Sequence, residues 1–369
     1  MGILDGVITA IPDSALAAAV PPPSVAVDAA AGFTVLNTYH VCPEDPSGTW
    51  VAYTRLLQVP SDGNARVDAE VWVRRRPDGR PQRVMSGLRA RAHEGANVLW
   101  VGNGLLIAGT EGSSTIVAAE DGRVVRVLPW VVTDWSAATD RLIGHDAAGH
   151  EVRVHDLAAD RTTTLFRRED LAGFAARMNG SDAPADWRLS DTRWAPGGAM
   201  FSFHLMTRGW ETANRHLLTA DATGGDRRLF GLKPMHDGWY DANLIFGHDD
   251  QVDDGLANDR TLRCWDRDRK VVIGRLAPPG CHVAVSPDGR HAVSESWYGV
   301  SPIVVSLHRT QGGATIELFR HGWSRMVWTL RAHVNMAFSA DGRRLYVNRA
   351  ISDGLSQVHV FDLSALIGR

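Results

Sequence analysis

A chain of 369 residues with 39 Lys plus Arg against 42 Asp plus Glu is close to charge balance, which removes the electrostatic reason to expect a nucleic-acid partner. It contains no apolar run of about 18 residues, so no membrane-spanning helix and no membrane partner are expected. Three cysteines (Cys42, Cys264 and Cys281) cannot all pair and lack metal-type spacing, which fits a reducing compartment and thiols that serve as small core residues.

The N-terminus has no basic stretch followed by an apolar core, so no export signal is expected and the cytoplasm is the expected location. Residues 1–23 read as an arm, and 24–369 as one propeller domain. Ser24–Asn37 is a candidate strand. A first repeat follows from about Thr38 to Gly87, with a hairpin turn at Asp45-Pro46-Ser47-Gly48 and a strand over Glu70–Arg75. A second runs from about His93 to Pro129 and a third from Asp134 to Phe166. Arg167–Arg188 then breaks the rhythm with a polar insertion able to form a short helix. Further repeats span Asp191–Leu232, His236–Leu276, His282–His321 and His333–Leu366. Gly280–Val293 is the clearest of them: a strand alternating at period two, the turn Ser286-Pro287-Asp288-Gly289, and a second strand. Repeats spaced by roughly 40–50 residues predict an all-β, seven-bladed β-propeller with four-stranded antiparallel blades. The last repeat shows only three strands, so Ser24–Asn37 is expected to supply the fourth and close the ring.

Chain direction sorts residues by rim. His40, His236, His282 and His333 fall at or just before the start of inner strands, and the Pro-Asp-Gly turns fall at the opposite end. His204, Arg208, Arg215, His248, Asn348, Arg349 and Gln357 are assigned to the histidine rim. Four histidines at equivalent positions favour a site over chance. The 15 His can serve proton transfer or ligation, and the 13 Trp offer flat faces that suit sugar rings, although filling wedges between blades is the expected role of any one Trp. His333 and Asn335 point to one face of a strand; with His282 they could hold Mn²⁺ or another borderline cation, or a sugar carboxylate without any metal.

At this point the residues resemble a known family. The run His333-Val-Asn-Met-Ala-Phe-Ser-Ala-Asp-Gly is similar to the metal-binding hairpin of oligogalacturonate lyases, Gln-x-x-His-x-His-Pro-x-Phe-x-Pro-Asp. Here Asn335 replaces the second His, and Leu330 stands where the Gln would be. Gly280-Cys281-His282 resembles the other metal-histidine strand. Asn214-Arg215-His216-Leu217 resembles the segment with the arginine that binds the substrate carboxylate. Met235-His236-Asp237-Gly238-Trp239 resembles the His-Glu-Phe-Trp segment with a catalytic histidine. The resemblance covers roughly residues 33–366.

It implies β-elimination at a uronic acid in an oligosaccharide or polysaccharide, giving a 4,5-unsaturated product. His236 is the expected base and Arg215 the carboxylate neutraliser. His282, His333 and Asn335 would bind a divalent metal such as Mn²⁺. His40, His204 and Arg208 are expected sugar contacts, and Trp239 and Tyr298, with Trp210 and Trp297, stacking surfaces. Two alternatives remain: a non-catalytic TolB-like propeller that binds a glycan or protein, and a hydrolase. The hydrolase would need paired carboxylates, for which Glu211, Asp237 and Glu295 are the rim acids.

Overall fold

The structure is a computed structural model. It describes residues 21–37, 41–110, 112–179, 187–206, 215–230, 235–248, 262–267, 272–276, 282–296, 302–310, 315–321, 330, 332–352 and 354–367. The fold is a seven-bladed β-propeller of four-stranded antiparallel sheets. Blade one is β2 (Phe33–Val35), β3 (Trp50–Leu56), β4 (Val67–Arg75) and β5 (Pro81–Ala90), and blade two is β6 (Leu99–Trp100), β7 (Leu105–Thr110), β8 (Ser113–Ala118) and β9 (Val124–Leu128). Blade three is β10 (Val131–Ser136), β11 (Arg141–His145), β12 (Glu151–Asp156) and β13 (Arg161–Arg167). Blade four is β14 (Arg188–Trp194), β15 (Met200–Met206), β16 (Arg215–Asp221) and β17 (Arg228–Leu229). Blade five is β18 (Met235–Trp239), β19 (Leu244–His248), β20 (Leu262–Asp266) and β21 (Val272–Leu276). Blade six is β22 (Val283–Val285), β23 (His291–Glu295), β24 (Ile303–Arg309) and β25 (Thr315–His321). Blade seven is β26 (Ala337–Phe338), β27 (Arg344–Ser352) and β28 (Leu355–Asp362), with β1 (Ser24–Ala26) on its outer edge. The expected insertion is a 3-10 turn over Arg168–Leu171 running into a helix over Ala172–Asn179.

Blades one, two, six and seven belong to one compact unit, and blades three, four and five to another. Within each unit, the faces of neighbouring sheets cover one another. β15 is buried nearly throughout, so both of its faces need partners. Phe201, Phe203 and Leu205 share a core with Ile143, Val152 and Phe166 of blade three. The alternate residues face blade five, where Leu217, Ile245 and Trp265 form the next core. The repeated turns share one mechanism. Ser286 Oγ accepts from His291 N at 2.9 Å and Gly289 N donates to Ser286 O at 2.8 Å. Ser339 and Gly342 repeat this with Arg344. Gly289 and Gly342 adopt φ +70 and +71, where a side chain would strain the backbone.

The N-terminal strand closes blade seven as expected, with Ser24 opposite Phe361 and Ala26 opposite His359. The start of blade one differs from the sequence reading: its inner strand is Phe33–Val35 rather than a segment after Thr38. The Asp28 carboxylate accepts from the amides of Ala30 and Ala31, so a turn divides the expected single strand in two. In blade seven the inner strand is only Ala337–Phe338, so His333 and Asn335, expected on one face of a strand, precede it and do not share a strand face: Asn335 takes φ +44 and leaves the extended region. Residues assigned to the histidine rim also bond this closure. Asn348 accepts from Leu36 N at 2.8 Å and donates to His333 O at 2.9 Å, and Gln357 donates to Ala31 O at 3.0 Å.

Glu44 ties blades one and seven. Its side chain is 1% exposed and receives Arg76 at 2.6 Å, Arg344 at 2.8 and 3.0 Å, and the Tyr346 hydroxyl at 2.9 Å. Removing one partner of a buried ion pair strands the others. Glu44→Ala is therefore expected to cost about 3–5 kcal/mol in urea unfolding, with Glu44→Gln losing less.

Candidate functional site

Backbone irregularities shape the polar cluster of blades four and five. The β14–β15 ladder slips between Ser190 and Arg193, and Asp191 sits in that bulge at φ +50. The β18–β19 ladder slips between Met235 and Gly238, placing His236 at φ +52. A bulge re-aims the side chains at its crest. Asp191 Oδ2 lies 3.2 Å from His204 Nδ1, and Asp237 Oδ1 lies 2.9 Å from His204 Nε2. Arg215 Nη2 is 3.7 Å from the same Asp237 oxygen.

An imidazole with a carboxylate at each nitrogen is held with both nitrogens protonated. Burial works against the His204 charge, but the Asp237 carboxylate and its bond to Asp191 outweigh it and raise its titration above the ordinary range. Burial likewise pushes Asp237 upward, yet the charge of His204, its hydrogen bond and Arg215 bring the carboxyl down to about 2. Asp191 is held well below the usual range in the same way, with burial opposed by the His204 hydrogen bond and charge.

His236 is half-buried, on the bulge next to Asp237. His204 is buried and its imidazole is flanked by the two aspartates, so it lies behind the site and is not an open sugar contact. The Trp239 indole donates to Ser202 Oγ at 3.0 Å and packs on the blade-four and blade-five core.

The second cluster lies in blades six, seven and two, within the other unit. The rings of His282 and His333 are 4.9 Å apart by centroid, and His93 meets His333 edge-on at 4.6 Å. His282 Nδ1 bonds Glu295, and both side chains are buried. Glu295 N donates to His282 O at 3.3 Å, so the carboxylate stands beside the histidine across the hairpin. With Nδ1 bound there, Nε2 of a neutral His282 ring carries the lone pair, the arrangement that orients ligating histidines. Asn335 donates from Nδ2 to His93 O at 2.8 Å. Its Oδ1 is buried with no hydrogen-bond partner. Among the described residues no three His, Cys, Asp or Glu side chains gather at metal-ligand spacing. Of the expected ligands, His282 and His333 stand ring beside ring, and Asn335 is tied to the backbone of His93, whose own ring meets His333.

His40, Arg208 and Tyr298, with Trp210, Trp297 and Glu211, lie outside the described residues. The sequence reading did not select His93 or Asp191, and it took Asp237 and Glu295 only as acids for a hydrolase. Hairpin register was the available signal: the end of the second strand of a blade returns beside the start of the first. Asp191 and Asp237 are each engaged by His204, so this pair is bound to an imidazole and does not flank an open space as a hydrolase's paired carboxylates do.

No protein-family profile matches the chain, and no curated protein matches it. Solved structures do match. An oligogalacturonate lyase in complex with manganese is 14% identical, with TM-score 0.64 over 94% of this chain and 98% of that one. An oligogalacturonate lyase from Vibrio parahaemolyticus is 11% identical, with TM-score 0.62 over 93% and 97%. The β-propeller domain of Cps50 (Swd1) from Myceliophteria thermophila is 10% identical, with TM-score 0.55 over 91% and 99%. These likenesses establish the propeller fold, which lyases share with propellers of other kinds. No helix among the described residues is long and apolar enough to cross a membrane.

The buried row sets a pH dependence. The lowered carboxyls of Asp191 and Asp237 contribute stability above their unfolded range near pH 4, lost as pH falls toward 2. The raised His204 contributes stability below its unfolded value near pH 6.5, lost as pH rises through its higher folded value. In urea unfolding the stability difference between the wild type and His204→Gln is expected to shrink as pH rises through the raised His204 titration, because that contribution is present below about pH 6.5 and lost above it.

Proposed function

We propose that this chain is a carbon–oxygen lyase that cleaves a uronate-containing oligosaccharide or polysaccharide by β-elimination. One arrangement carries the reading. The half-buried His236 is next in sequence to Asp237, whose carboxylate lies 3.7 Å from the Arg215 guanidinium. The expected proton acceptor and the expected cation are thus linked through Asp237. The match in fold to two oligogalacturonate lyase structures supports the same class of chemistry.

In the reaction the C6 carboxylate of the uronate sits against Arg215. The guanidinium offsets the charge that builds on that carboxylate as C5 loses its proton. Neutral His236 takes the C5 proton. The C5–H electron pair becomes the C4=C5 double bond, the C4–O bond breaks, and the departing oxygen is protonated by the imidazolium of His236 or by water. Arg215 itself is too basic to be the proton acceptor at neutral pH.

A divalent ion such as Mn²⁺ would be held by His282, His333 and Asn335. When bound, it would supply positive charge for a sugar carboxylate. The unpartnered Oδ1 of Asn335 and the carboxylate behind His282 support this assignment.

With an oligouronide panel, the wild-type chain is expected to generate the ultraviolet absorbance of a conjugated unsaturated uronate. His236→Ala should lower kcat by about 10²–10⁴-fold. An unchanged rate in that variant would remove His236 as the base, and no absorbance from any uronide, with or without Mn²⁺, would favour a non-catalytic binding propeller. Calorimetric titration with Mn²⁺ tests the cation site without turnover. Glu295→Gln is expected to weaken binding by about 10–100-fold, and heat equal to that of a His282→Ala, His333→Ala double variant would mean no specific site.

A further inference from the structure

Four charged side chains line up between blades four and five: Asp191, His204, Asp237 and Arg215. The two central groups are almost fully buried, at 5% and 4% exposure, while Asp191 at one end is 33% exposed. The row spans both inner strands, and each aspartate comes from a bulge or from the residue beside a bulge apex. Ladder slips at matching places in adjacent blades, each delivering a carboxylate to the same imidazole, mark a built arrangement.

A carboxylate beside a guanidinium fixes its orientation but also cancels its charge. A site that must stabilise a developing anion needs the first effect without the second. Here the two carboxylates are matched by His204 and Arg215. Arg193, whose charge also acts on both aspartates, acts on Asp134 as well, so the row is balanced and His204 shares the carboxylate that Arg215 meets. Among the described residues, the charged groups that act on His204 are Asp191 on β14, Arg215 on β16 and Asp237 on β18, with Arg193 of β14 acting on both aspartates. His216 pairs with Leu205, on the other face of its sheet.

We propose that Asp237 is a positioning residue that fixes the guanidinium of Arg215, and that the imidazolium of His204, tied back to Asp191, keeps that carboxylate from cancelling the positive charge offered to substrate. The proposal rests on the reading of Arg215 as the group that meets the sugar carboxylate. Asp237 acts through Arg215 and has no contact with the reacting atoms.

Nitrogen-15 spectra of the full-length chain test the arrangement without substrate. In the wild type, both ring nitrogens of His204 are expected to be protonated at pH 7, and the Arg215 Nε–H to exchange slowly with water. Asp237→Asn should lower the His204 titration by about one pH unit or more and speed Arg215 Nε–H exchange about tenfold or more. Asp191→Asn should lower the His204 titration as well, yet leave Arg215 ordered. A neutral His204 in the wild type at pH 7, unchanged Arg215 exchange in Asp237→Asn, or equal loosening of Arg215 by Asp191→Asn would each overturn the proposal. Should Asp237→Asn fail to fold, the wild-type and Asp191→Asn spectra still decide it.

Kinetics separate this proposal from the lyase reading. On a uronide that the wild type cleaves, Asp237→Asn should lower kcat about tenfold or more while KM moves less than about threefold. Cleavage with kcat unchanged in that variant overturns the positioning role and leaves the lyase reading intact. The expected spectra with no uronide cleaved do the reverse.

Discussion

A strand buried on both faces has no water to turn to, and this constraint governs where polar groups can stand in the protein. β15 shows it within a few residues. Phe201, Phe203 and Leu205 face one apolar core, while the alternating residues face the other neighbour, so any polar side chain on that second face must find its partner inside the protein. Ser202 meets the Trp239 indole, and His204 meets a carboxylate at each nitrogen. Desolvation of three charges in such a place is tolerable only because each is answered by an opposite charge within a few ångströms.

The two polar clusters, one in each unit, answer that constraint differently. In blades four and five, an imidazolium lies between carboxylates and the row ends on an arginine. In blades six, seven and two, the carboxylate of Glu295 lies behind His282, the ring of His333 lies tilted beside His282, and His93 meets His333 edge-on. In both, left-handed backbone at a non-glycine residue marks the place: Asp191 and His236 in one cluster, Asn335 in the other. Such strain persists only where the surrounding structure over-determines it. The opposite, Gly-containing turns are relaxed by comparison, since a serine hydroxyl and a glycine satisfy them locally.

The scaffold does not choose the chemistry. Oligogalacturonate lyase structures and the Cps50 propeller domain share this fold at 10–14% identity. The functional reading therefore rests on His236, Arg215 and the groups that hold them, and on the donor set of His282, His333 and Asn335. Buried thiols add nothing to it: Cys264 is pushed up to about 12 by burial and behaves as a core residue.

Much of the architecture was legible in the sequence because its causes are local. Period-two alternation and Ser-Pro-Asp-Gly turns report strands and hairpins at the residues that make them, so the seven repeats and the closing role of the N-terminal segment could be read directly. The division of that segment into two strands depended on Asp28 capping its own turn, a choice settled by the packing of Phe33–Val35 in blade one. The candidate residues His282, His333, Arg215 and His236 could be found by type and position. What each one faces could not, since a one-residue ladder slip at Asp191 or His236 re-aims a side chain without leaving a mark in composition. Sequence by itself determined the repeat, the turns and the stock of histidines and arginines. Only the tertiary structure decided that His204 lies between two aspartates, that Asp237 stands at Arg215, and that Glu295 backs His282. Those pairings join residues from different strands, and burial makes each partner's charge depend on the other.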